Sequence, residues 1–142
     1  MSPILKILIG IAATSGMTWI NHGPLGNGEA LVNRLEKQAK SVVVATEIPG
    51  IEVRLGRDPL ARLVTLSGQA DTFQREGQGE LKGINDRVGA IDGISGVRWS
   101  DEPEKKTIPL FLETLLQTIL AYLIGLGVTF LFWGRPKREG YL

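Results

Sequence analysis

The stretch Leu115-Leu116-Gln117-Thr118-Ile119-Leu120-Ala121-Tyr122-Leu123-Ile124-Gly125-Leu126-Gly127-Val128-Thr129-Phe130-Leu131-Phe132 carries no charged side chain, and Arg135, Lys137 and Arg138 follow it closely. An uncharged apolar run of this length spans the hydrocarbon core of a bilayer as a helix. A basic cluster at its end holds that end in the cytoplasm. This reading sets the architecture before any chemistry: a small protein anchored in a membrane. It predicts a transmembrane helix over residues 109–133 and a basic cytoplasmic tail over 134–142, with Pro109 suited to the first helical turn.

A second apolar stretch runs from Ile7 to Ile20, preceded by Lys6 and ending beside Trp19. It reads in two ways. As a signal peptide it has a basic residue, an apolar run, and small residues such as Ala13 and Ser15 near which cleavage would occur. As a retained helix it reaches roughly 25 Å from Pro3 to Ile20, with Lys6 snorkelling at one end. We expect a retained anchor over residues 1–22. Lys6 and the Arg135, Lys137 and Arg138 cluster then place both ends in the cytoplasm, and the segment between the spans lies on the opposite side. Lys105 and Lys106 flank the second span on that opposite side, but Asp101, Glu102 and Glu104 surround them. Trp19 and Trp133 fit opposite boundaries of the bilayer.

Composition removes several function classes. The 16 Lys and Arg residues nearly balance 15 Asp and Glu, for a net charge of +1. That mixture gives no basic stripe for a nucleic-acid partner. With no cysteine, thiol catalysis, disulfides and cysteine-bound metal are excluded. His22 is the only histidine and by itself makes no conventional structural metal site. It reads as an interfacial or loop residue. Asp58, Asp71, Asp86 and Asp92 read as caps or solvated charges. The glycines between Gly77 and Gly83 do not form a phosphate loop, because no Gly-Lys-Ser or Gly-Lys-Thr follows. No triad can be assembled, so we expect no enzyme and no cofactor.

Between the spans, residues 27–100 read as a small α/β module, and residues 101–108 as a linker. Asn21-His22-Gly23-Pro24 breaks the first helix, and Asn27 suits the cap of the next. From Glu29 to about Ala45, Leu31, Leu35, Ala39 and Val42 recur at helical spacing, widened by Val32 and Val43. Glu36 and Lys40 form an i,i+4 pair on the wet side. Ile51, Val53 and Leu55 alternate with Glu52 and Arg54 as in a half-buried strand. Strand character resumes from Leu63 to Leu66. Asp71 with Gln74 resembles a capping box, opening one glycine-rich helix with Leu81, Ile84, Val88 and Ile91 on a face. Val97 and Trp99 lie on one face of a last strand. The order is α-β-β-α-β, with Leu31, Leu35, Val53, Leu66, Ile84, Val88, Val97 and Trp99 as the expected core.

These elements resemble the BON domain, a small bacterial α/β module of periplasmic and membrane-associated proteins. The residues that carry the likeness are Ile51 to Leu55, Leu66-Ser67-Gly68, Ile84 through Val88, and Ile91-Asp92-Gly93-Ile94-Ser95-Gly96-Val97. The stretch Gly56 to Arg62 departs from the family, being longer than the tight turn expected there. The resemblance implies attachment to phospholipid surfaces or envelope partners without enzymatic activity. With its flanking helices the chain is also similar to the amino-terminal part of some bacterial OmpA-like envelope proteins, without their peptidoglycan-binding half. It places the chain in a bacterial inner membrane, with the central module periplasmic.

The second span has two faces. Glu113, Gln117, Ala121, Gly125 and Thr129 follow at intervals of four and share one face, while Leu115, Ile119, Leu123, Leu126 and Phe130 suit lipid. In the first span Ala12 and Gly16 are four apart, and Thr14 and Thr18 likewise. Small and polar stripes of this kind pack helices together. They serve an intramolecular pair, a homodimer, or a seat on a larger membrane complex, of which an energy-transducing assembly is one kind. Glu113 reads either as an interfacial carboxylate that reaches water or a nearby lysine, or as a polar contact with a partner subunit. Phospholipid is the other expected partner.

Overall fold

The computed structural model describes residues 2–104 and 106–133. Arg135, Lys137, Arg138 and the side chain of Trp133 lie outside the described residues. Helix α1 runs over Pro3–His22, started by Ser2, whose hydroxyl accepts from the Leu5 amide at 3.3 Å, and by Pro3 in the first turn. The last helix, α5, covers Leu110–Trp133. At 1.5 Å per residue the two reach about 30 and 36 Å, matching a bilayer core. Both are long and apolar enough to cross a membrane. They lie side by side and antiparallel, with the central domain at one end of the pair.

Helix α2 (Asn27–Val44) opens the domain. Its cap is Gly26, held at φ +68 where a side chain would be strained. Asn27, expected as the cap, instead gives its Nδ2 to Asn21 Oδ1 at 3.0 Å and ties α2 to the end of α1. Val42, Val43 and Val44 complete the helix. The buried stripe is Val32, Leu35, Ala39 and Val43, with Leu31 and Val42 half-buried at its edge. The stripe centre therefore sits one residue on from the Leu31–Val42 row.

Strands β1 (Glu52–Arg57) and β2 (Leu60–Ser67) pair antiparallel, and β5 (Gly96–Trp99) joins β2 in parallel, giving the order β1-β2-β5. The segment Gly56 to Arg62 is not a long connection. Both strands continue into it and leave only Asp58-Pro59, a cis peptide, as the turn. Helix α2 covers one face of the sheet: Val53, Leu55, Val64, Leu66 and Trp99 point into its stripe. Burying each aliphatic side chain contributes about 1.5–3 kcal/mol.

The single glycine-rich helix expected after Asp71 does not form. The capping box between Asp71 and Gln74 is present, but it starts only α3 (Thr72–Glu76). A two-stranded ribbon follows, β3 (Gly77–Gln78) with β4 (Leu81–Lys82), and then α4 (Ile84–Gly89). Gly77 turns the chain at φ +78, and a Cβ at Gly83 would run into the backbone of Arg75, Glu76 and Gly77. Two backbones that approach this closely exclude any side chain between them. Leu81, expected on a core face, is consequently exposed, while Ile84 and Val88 are buried. The result is a mixed α/β fold with five helices and two small sheets among the described residues.

The core does not stop at the domain. Leu110, in the first turn of α5, is 3% exposed and belongs to the same cluster as Leu35 and Trp99. A domain this small has a marginal core by itself, and α5 extends that core.

Candidate functional site

The contact between α1 and α5 is built from small, β-branched and ring-bearing residues. Gly10 faces Tyr122, and a Cβ at Gly10 would overlap the phenol ring. At the domain end the ring of His22 meets Phe111 at 5.4 Å, tilted by 56°. This register brings Thr14 level with Thr118, and Thr18 level with Thr114. Each hydroxyl is spent on its own helix: Thr14 donates to Gly10 O at 2.6 Å, Thr18 to Thr14 O at 2.9 Å, Thr114 to Leu110 O at 3.0 Å and Thr118 to Thr114 O at 2.6 Å. Satisfied this way, the threonines present methyl groups to the seam at no polar cost. Thr18 is the buried polar residue of the pair.

The residues expected to pack helices fall elsewhere. Ala12, Gly16, Gln117, Ala121, Gly125 and Thr129 are all exposed. A Cβ at Gly16 or Gly125 would meet only open space. They lie outside the seam, which follows Thr114, Thr118 and Tyr122, one residue on around α5. Leu115, Ile119 and Leu126, assigned above to lipid, are half-buried beside that seam. Among the described residues the Gln117 side chain makes no hydrogen bond; the Thr129 hydroxyl bonds back to Gly125 O at 2.8 Å. Lys6 and Trp19 are exposed on α1.

Glu113 has an intramolecular partner, and it is not a lysine. Arg62 Nε on β2 reaches Glu113 Oε2 at 2.7 Å, and Arg62 also donates to Gly93 O at 2.9 Å. Both side chains are at most about a quarter exposed. The pair and Leu110 seat the domain on the first turn of α5.

Inside the domain, Leu35, Val53, Leu66, Ile84, Val88 and Trp99 are buried, and Leu31 and Val97 are half-buried against them. Trp99 Nε1 donates to Asn85 Oδ1 at 2.9 Å, and Arg75 lies 4.1 Å over its ring while pairing with Asp101. Glu36 pairs with Lys40 and with Arg57, each at 2.6 Å. Partial burial pushes the Glu36 carboxyl up, but the hydrogen bonds and charges of Lys40 and Arg57 outweigh it and hold it below the ordinary glutamate range.

A groove of about 480 Å³ lies where the seam meets the domain, lined by the four threonines, Met17, Asn21, His22, Asn27, Gly28, Leu31 and Leu110. His22 is half-buried there, pressed on Gly28. Among the described residues no group of three or more His, Asp or Glu side chains is placed to hold a metal ion. Sequence reasoning missed Gly10, Tyr122 and Arg62. The four-residue spacing of the threonines in both apolar helices was the available signal for the seam.

Compared with protein-family models, with curated proteins and with solved structures, the chain matches none. Fold and surfaces define a membrane-associated class: a small α/β domain carried on two long apolar helices.

Proposed function

We propose that this chain is a non-catalytic accessory or assembly subunit of a bacterial inner-membrane protein complex, possessing two spans, cytoplasmic termini and a periplasmic domain. The observation that carries the reading is the outer face of α5. After α1 has packed on the neighbouring face, Gln117, Ala121 and Gly125 remain uncovered. Gln117 lies one turn, about 6 Å, below Glu113. An amide at that depth, without a protein partner, is costly in hydrocarbon, and small residues beside it let a second helix approach closely. A partner helix satisfies both. The domain, seated on α5 through Arg62 and Glu113, then presents its outer surface to the same complex. An energy-transducing host fits this role.

The test is recovery of a tagged chain from native membranes in mild detergent, beside a Gly125→Leu variant. A stoichiometric membrane companion that the variant loses is the expected result. Recovery without a companion would end the reading.

A second reading is an envelope module that binds phospholipid or periplasmic proteins through the domain. It is favoured by the element order, with a sheet backed on one face by α2, and by Phe73 and Leu81. Both are exposed beside a groove of about 320 Å³ on the domain surface.

A further inference from the structure

The geometry points to a phospholipid-binding slot at the foot of the domain: an acyl chain lying in the groove beside the α1–α5 seam, under the first turn of α2, with the headgroup end at Asn21 and His22. This inference rests on the reading that α1 and α5 cross a bilayer.

Three features define the slot. Its floor and sides, Thr14, Thr18, Thr114 and Thr118 with Met17 and Leu110, lie within the two spans. Whatever fills a groove at that depth comes from the bilayer. The threonine hydroxyls are all occupied by carbonyls of their own helices, so the surface offered is methyl and thioether, suited to a hydrocarbon chain. The volume, about 480 Å³, falls within the usual range of small-molecule sites.

The upper end is chemically different. Asn21 Oδ1 accepts from Asn27 Nδ2, which leaves the Asn21 amide hydrogens for another acceptor. The His22 ring stands beside it, set by Phe111 and Gly28. Ester and phosphate oxygens at the glycerol level of a phospholipid are acceptors at the matching height. The roof decides against a helix as occupant. Asn27, Gly28 and Leu31 at the start of α2 line the domain end of the groove, and a helix about 10 Å across would run into that part of α2 on its way out of the membrane. A lipid chain ends there, at its own headgroup.

The experiment uses the full chain in vesicles of phosphatidylethanolamine and phosphatidylglycerol, with a trace of phosphatidylethanolamine bearing a diazirine on one acyl chain. Carbonate extraction comes first: a chain that washes off overturns the spanning reading and the slot with it. For an inserted chain, irradiation and peptide mapping should give a several-fold excess of adducts at Met17, Thr114 and Thr118 over Leu120 and Ile124. Met17 is 61% exposed, so Met17→Trp narrows the slot without invading the core; it should abolish the excess. Leu120→Trp, on the open side of α5 at 58% exposure, should leave it intact. Even labelling of all exposed positions, or an excess that survives Met17→Trp, overturns the slot and leaves the spanning reading standing.

Discussion

Arg62 and Glu113, 51 positions apart in the chain, meet at 2.7 Å where the domain rests on the second apolar helix. The carboxylate stands in the first turn of α5, where the helix dipole favours a negative charge. The guanidinium comes from β2 and is steadied by Gly93 O. With Leu110 buried in the domain core, this contact couples the orientation of the domain to that of the two apolar helices.

Breaking the pair from either side should loosen the domain on the helices. Arg62→Ala should cost about 1–3 kcal/mol, as for a partly buried charge-assisted hydrogen bond. Chemical unfolding in mild detergent measures it. The Arg62→Ala, Glu113→Gln double variant should be no worse than the poorer single variant, because both remove one interaction. Additive losses would mean the two side chains act separately.

The helix seam has its own weak point. Gly10→Leu should force Tyr122 out of the seam and cost about 1–3 kcal/mol of overpacking. Gly16→Leu should cost little, since that position faces open space. Cysteines at Thr14 and Thr118 report the separation through the yield of their cross-link. Tyr122→Ala should restore the yield in the Gly10→Leu background.

How much of this was legible follows from the range of each interaction. The two long apolar helices, the alternation of Val53 and Leu55, and the Asp71–Gln74 box depend on neighbours a few residues apart, and they were readable. The glycine-rich segment misled because Ile84, Val88 and Ile91 keep a helical spacing. The close approach of Gly77 to Gly83 that breaks the helix is a backbone contact with no pattern in side-chain polarity. The seam was displaced by one residue around α5: the polar Gln117 and the small Ala121 and Gly125 announce a packing face, but periodicity does not say which neighbour packs there. Arg62 gave no local sign of its partner on α5.

Acid should weaken the domain through Glu36. Its carboxyl titrates lower in the folded chain than in the unfolded one, because Lys40 and Arg57 favour the charged form. Its contribution is therefore fully present above the unfolded value, and is lost as pH falls through the folded value. Thermal unfolding in mild detergent should show a decline below the ordinary glutamate range. Glu36→Gln should start less stable at neutral pH and decline less steeply. Parallel curves for the two proteins would remove Glu36 as a cause.

The orientation can be read with single cysteines, because the chain has none of its own. Ser100 is exposed on the domain and Ser2 caps α1 at the other end of the pair. An impermeant maleimide should label Ser100→Cys in intact spheroplasts, and Ser2→Cys only after permeabilisation. The reverse pattern inverts the proposed topology. Labelling of both positions from outside rules out a two-span arrangement.

The central claim is that the uncovered face of α5 receives a helix from another membrane protein. It is tested most directly by a photo-cross-linking residue at Ala121 in native membranes, with Leu123 on another face as the control. The account predicts one discrete adduct with another polypeptide from position 121 and none from position 123. Adducts at 121 only with lipid, or only with a second copy of this chain, would contradict it.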